Sequence, residues 1–222
     1  MEESRIFFRG NPWKEGHKIK EFQWIARLEP DQGIFMDFHL KSDDYYAEKD
    51  FEIDDDEEFT SDWEAHVAWS NYHSCTMSSN NWHLGGILWA TAQQATDFNL
   101  QGKSLYADPL PIDLEKGDYE DLAFHIYLLG HDTCADHRIH FLRKKDDGSF
   151  DIKWTGKIAL TYVGNTNFEH EFEAKIFSAK FEGIEVPKEM SNADVEKYMK
   201  AYLSNPGDFK FDRKKNRILP RC

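Results

Sequence analysis

Residues 22–40 read FQWIARLEPDQGIFMDFHL, and their alternation decides the fold class. Phe22, Trp24, Ala26 and Leu28 share one parity against Gln23, Ile25 and Arg27. Pro30-Asp31-Gln32-Gly33 then supplies turn chemistry, and Ile34, Met36, Phe38 and Leu40 resume the pattern. Successive strand side chains point to opposite faces, so the stretch predicts a β-hairpin with one apolar face.

The same period recurs through the second half. Phe124, Ile126 and Leu128 alternate with His125, Tyr127 and Leu129, and after an irregular loop Ile139 and Phe141 begin another strand. Asp147-Gly148 is a hairpin turn into Phe150, Ile152 and Trp154. Gly156 marks a bend or bulge, Ile158, Leu160 and Tyr162 continue, and Gly164-Asn165 turns the chain. Phe168, Phe172, Ala174 and Ile176 follow, with Phe177, Ala179 and Phe181 on the opposite parity, the slip that a β-bulge produces. Phe59, Ser61, Trp63, Ala65, Val67 and Trp69 share a parity as well and predict a further strand.

Two segments read as helices. Ile87, Thr91, Ala95 and Phe98 recur at helical spacing and predict a short central helix from Ile87 to Phe98. Ser191 as N-cap with Asp194 three residues on, flanked by Met190 and Val195 at staple positions, predicts a C-terminal helix from Ser191 to Ser204. Few helices among many strands argue for antiparallel pairing, because parallel pairs need long crossovers. The expectation is one α+β domain over residues 1–222, predominantly antiparallel, with about seven strands closed as a barrel or stacked as a sandwich.

The formal charge of −14 is unevenly placed. Eleven acidic residues against Lys49 make residues 43–62 an acidic loop carrying −10. Residues 208–222 form a basic tail with Lys210, Arg213, Lys214, Lys215, Arg217 and Arg221, expected either to fold back on the acidic loop or to fray. Clustered carboxylates repel phosphate, which argues against nucleic acid and for a basic protein partner steered by Asp54, Asp55, Asp56, Glu57 and Glu58. No run of about 18 apolar residues occurs, so no membrane partner is expected. An acidic N-terminal stretch and three widely spaced cysteines, Cys75, Cys134 and Cys222, fit the cytoplasm.

Three constellations carry chemistry-bearing residues. His131, Cys134, His137 and His140, with Asp132 and Asp136 between them, are natural Zn²⁺ ligands in a predicted loop, although the spacing matches no standard zinc finger. Trp63, Trp69, Trp82 and Trp89 crowd into 27 residues with amides and hydroxyls between them. Parity sends Trp63 and Trp69 toward core packing. A ligand site for a sugar or small molecule would draw on Trp69, Asn71, His73, Asn80, Asn81 and Trp82. Tyr72-His73-Ser74-Cys75 sets a thiol two residues from an imidazole, where a buried, inert cysteine is the commoner outcome.

No complete catalytic motif and no phosphate-binding glycine loop occurs. The sequence therefore points first to a non-enzymatic binding protein that presents an acidic surface to a basic partner, as an inhibitor or immunity-type protein does. The alternatives are a metal-dependent hydrolase built on the His/Cys set, with Zn²⁺ as its cofactor, and a carbohydrate or small-ligand binder using the Trp/Asn-rich loop.

Overall fold

The computed structural model describes residues 2–47, 61–79, 85–117 and 121–221. Its strands are β1 (Arg5–Phe8), β2 (His17–Glu29), β3 (Gly33–Ser42), β4 (Thr76–Ser78), β5 (Ile87–Ala90), β6 (Ser104–Ala107) and β7 (His125–Tyr127). They continue as β8 (His131–Lys144), β9 (Phe150–Ala159), β10 (His170–Ala179), β11 (Phe181–Glu185), β12 (Phe209–Asp212) and β13 (Arg217–Pro220). Two α-helices accompany them, α1 (His66–Ser70) and α2 (Asn192–Tyr202).

Eight strands close into a barrel in the order β2-β1-β10-β9-β8-β7-β4-β3, with β3 returning to β2. Every pairing around this ring is antiparallel. The α+β, mainly antiparallel class thus holds, and the barrel is the form it takes. Beyond the ring, β11 runs parallel to β2, the β12–β13 hairpin extends from β11, β5 adds to β3 and β6 adds to β8.

The opening hairpin forms in the register that its alternation requires, with Trp24 opposite Phe38, Ala26 opposite Met36 and Leu28 opposite Ile34. These six residues are almost wholly buried and face the barrel interior. Trp24 stacks on Phe38 at 6.1 Å between ring centroids, and Phe141, Phe150, Phe124 and Trp154 fill the remaining section. An eight-stranded ring is only just wide enough for its own side chains. The interior is therefore a packed core rather than a lumen.

Local periodicity also identifies the slip in β10, where the register against β9 shifts between Ile176 and Ala179. Gly156 marks a bulge as expected, one that the partner strand carries: the β8 register shift between Ala135 and Arg138 lies directly across from it. Gly156 itself sits within an unbroken β9, opposite Phe172, whose ring covers it so closely that a β-carbon would meet the ring at 2.7 Å.

Three expectations are corrected. Residues 87–98 are not helical: Ile87–Ala90 pairs with Ile34–Met36 of β3, because an open sheet edge offers a better partner than weak helical propensity does. Within the predicted strand 59–69, the described residues form a turn and the short helix α1, so Trp63 and Trp69 are buried for reasons other than strand parity. The basic tail neither frays nor lies loose, since residues 209–220 form the β12–β13 hairpin, with Arg217 bonded to Glu182 and Glu185 of β11. The C-terminal helix forms at Asn192–Tyr202, and the Ser191 hydroxyl accepts the Asp194 N–H as its cap.

Gly33 begins β3 at a φ of 151°, where a β-carbon would lie 2.1 Å from the Ala90 carbonyl oxygen. The obstacle is backbone, which cannot swing aside. Gly33→Ala is expected to destabilise the fold by about 1–3 kcal/mol by separating β3 from β5, read as a lower urea midpoint at unchanged m-value.

Candidate functional site

Because the ring is antiparallel throughout, four connections have their described residues at one end of the barrel: 9–16, 43–47 with 61–75, 128–130 and 160–169. The first two bring a plug of aromatic rings. Trp69 is fully buried, donates its indole N–H to the Trp63 carbonyl (2.9 Å), and packs edge-on against Tyr45 (4.9 Å) and Trp63 (5.5 Å). Trp63 donates to the Arg9 carbonyl (2.9 Å) and stacks on His170 at 3.9 Å. His17 and Trp13 complete the layer, and the Tyr45 hydroxyl donates to the Leu128 carbonyl (3.0 Å). The tryptophan cluster of the sequence is in this part a lid of packed rings.

That placement corrects one ligand-binding assignment, because Trp69 offers no face to a ligand. Asn71 and His73 are exposed at the same end, where His73 Nδ1 lies 3.1 Å from Asp44 Oδ2. Asn80, Asn81 and Trp82 lie outside the described residues, as do Asp54, Asp55, Asp56, Glu57 and Glu58. Ser79, which precedes Asn80 in the chain, donates to Asp37 (2.9 Å), and Arg27 clamps Asp37 and reaches the Gly85 carbonyl. Asp37 is 1% exposed; burial raises its pKa, and the Arg27 guanidinium opposes that rise.

The predicted His/Cys loop is a strand. His131, Cys134, His137 and His140 all belong to β8, so His131 and His140 lie about 30 Å apart at some 3.3 Å per residue. A bulge at Ala135–Arg138 turns Cys134 and His137 inward, while His131 is exposed and His140 hydrogen-bonds Ser104 (2.9 Å) on the outer face. The Cys134 thiol contacts the Phe124 carbonyl, and burial pushes its pKa well up. The His137 Nδ1 accepts the Trp154 indole N–H (3.2 Å), and burial holds its pKa down to about 3. Among the described residues no group of three or more His, Cys, Asp or Glu side chains is arranged to hold a metal ion. Cys75 is likewise fully buried with its pKa raised by desolvation, and it lies apart from the exposed, Asp44-bonded His73, so the Tyr72–Cys75 segment forms no thiol–imidazole dyad.

Two surface features remain at this end. An open groove of about 830 Å³ runs along the barrel flank between the 9–16 connection and the outer face of β9 and β10, with Phe7, Asn11, Trp13, Lys157 and Glu171 among its walls. Across the rim, Tyr72, Tyr127 and Tyr162 meet edge to face, at 6.0 Å for Tyr72 with Tyr127 and 6.1 Å for Tyr72 with Tyr162. The sequence reading missed this cluster, for its members come from the end of β7 and two separate connections, which only the fold brings together. No family model, no curated protein and no solved structure matches the chain.

The buried imidazoles give the stability a pH dependence. His17 is held down to about 4 and His137 to about 3, both chiefly by burial, whereas an unfolded histidine titrates near about 6.5. As pH falls below that value the unfolded chain takes up two protons that the folded chain refuses, so stability drops. Asp132, raised to about 6 by burial, works the other way: between about 4 and 6 the folded chain keeps a proton that the unfolded chain has lost. His39 and His170, lowered by burial, join the histidine side, and Asp37 and Asp108, raised by burial, join Asp132; the histidines are the more numerous, so the urea midpoint is expected to fall between about pH 7 and pH 5, and His137→Gln should flatten that slope. Trp69→Ala should cost about 3–5 kcal/mol of stability, measured by urea unfolding, as removal of a packed ring does.

Proposed function

We propose that this chain is a non-enzymatic binding protein whose acidic surface engages a basic protein partner, in the manner of an inhibitor or immunity-type protein that masks a cationic site. The observation that carries this reading is the concentration of −10 of the −14 net charge in residues 43–62, a segment whose two ends are fastened to one end of the barrel. At its start Asp44 lies against His73, and at its finish the Tyr162 hydroxyl donates to Asp62 (2.9 Å). A high local density of one charge steers an oppositely charged partner and speeds encounter.

Two further facts support binding over catalysis. The barrel interior is occupied by Trp24, Phe38, Trp154 and their neighbours, which leaves no room for a substrate there. The thiols of Cys75 and Cys134 are buried with their pKa values raised, the reverse of what a cysteine nucleophile needs. No helix among the described residues is long and apolar enough to cross a membrane.

The test replaces Asp54, Asp55 and Asp56 with Asn and Glu57 and Glu58 with Gln, then compares what the two proteins capture from native lysate. The variant is expected to lose basic proteins that the wild type retains, and wild-type capture should weaken with added salt. An unchanged set of partners would sink the steering role of the acidic run.

A further inference from the structure

The tyrosine cluster lies where the acidic segment is fastened. Tyr162 belongs to the 160–169 connection, Tyr127 ends β7, and Tyr72 follows α1; all three are partly exposed. His131 adds its ring to Tyr127 at 5.2 Å, and Val163 beside Tyr162 is 51% exposed. Exposed rings standing edge to face present π surfaces that water covers poorly, and tyrosine is a frequent anchor of protein interfaces.

Two carboxylates stand beside these rings. Asp62 receives the Tyr162 hydroxyl, and Asp44 lies against the neighbouring His73.

Aromatic faces with carboxylates at their edges suit one side chain above others. A guanidinium is planar, stacks on tyrosine and donates bidentate hydrogen bonds to carboxylate, whereas an ammonium is a compact and strongly hydrated point charge. We infer that Tyr72, Tyr127 and Tyr162, with Asp44 and Asp62 beside them, form the docking surface for arginine side chains of the basic partner. This inference rests on the binding function proposed above and locates it on the barrel.

Fluorescence anisotropy with labelled octa-arginine and octa-lysine peptides tests it on the full chain. The expected result is tighter binding of octa-arginine, reduced about tenfold in Tyr72→Leu/Tyr127→Leu, with the preference over octa-lysine lost in that variant. Leucine keeps the apolar bulk, and circular dichroism confirms folding. Val163→Arg, at an exposed position that does not carry the core, should also weaken binding by adding like charge to the rim. If both peptides bind alike and both variants bind as the wild type does, the tyrosine surface is overturned while the acidic reading stands. If neither peptide binds the wild type, the basic-partner reading fails and this inference fails with it.

Discussion

The narrow seam between β1 and β2 holds the barrel shut, and the rest of the structure depends on it. Only Arg5 opposite Lys18 and Ile6 opposite His17 pair directly. The Ile19 N–H donates to the Ser4 carbonyl, and Arg5 ties the strands further by donating to the carbonyls of Glu15 and Gly16. Closure removes the exposed edges that an eight-stranded sheet would otherwise present. It also fixes the alternation of strand direction, and that alternation gathers four connections at one end.

The consequences of closure are energetic as well as topological. A ring of this size encloses a section that Trp24, Phe38, Phe124, Phe141, Phe150 and Trp154 can fill completely, so the hydrophobic contribution is concentrated inside. The end that holds the functional candidates needs its own seal, which Trp13, His17, Tyr45, Trp63 and Trp69 provide. The seal uses rings with polar edges because the connections bring backbone carbonyls with them: Arg9, Trp63 and Leu128 each receive an aromatic donor. The rings that seal this end thus adjoin, in the chain, the described ends of the acidic segment. Asp44 adjoins the buried Tyr45, and Asp62 adjoins the buried Trp63.

How much of this was legible in the chain depended on how local the signal was. The Phe22–Leu40 hairpin and the Ser191 cap were legible because turn chemistry, alternation and capping act between near neighbours. Burial of Trp63 and Trp69 was anticipated correctly but from a wrong element, since period two over a few residues does not exclude a turn leading into a short helix. Helical spacing at Ile87–Phe98 and an irregular loop at His131–His140 failed for the same cause. Each segment takes the conformation that its strand partners impose, β3 for the first and β9 with β6 for the second.

The sequence by itself determined the antiparallel class, the apolar face of the first hairpin, the C-terminal helix and the segregation of charge into residues 43–62. These follow from periodicity and composition, which need no knowledge of distant contacts. Only the tertiary structure decided that the sheet closes, that the His/Cys set is strung along one strand, and that three tyrosines from separate elements meet beside the described ends of the acidic segment. Strand pairing joins residues far apart in the chain, so which side chains become neighbours is a property of closure and is written in no single stretch of residues.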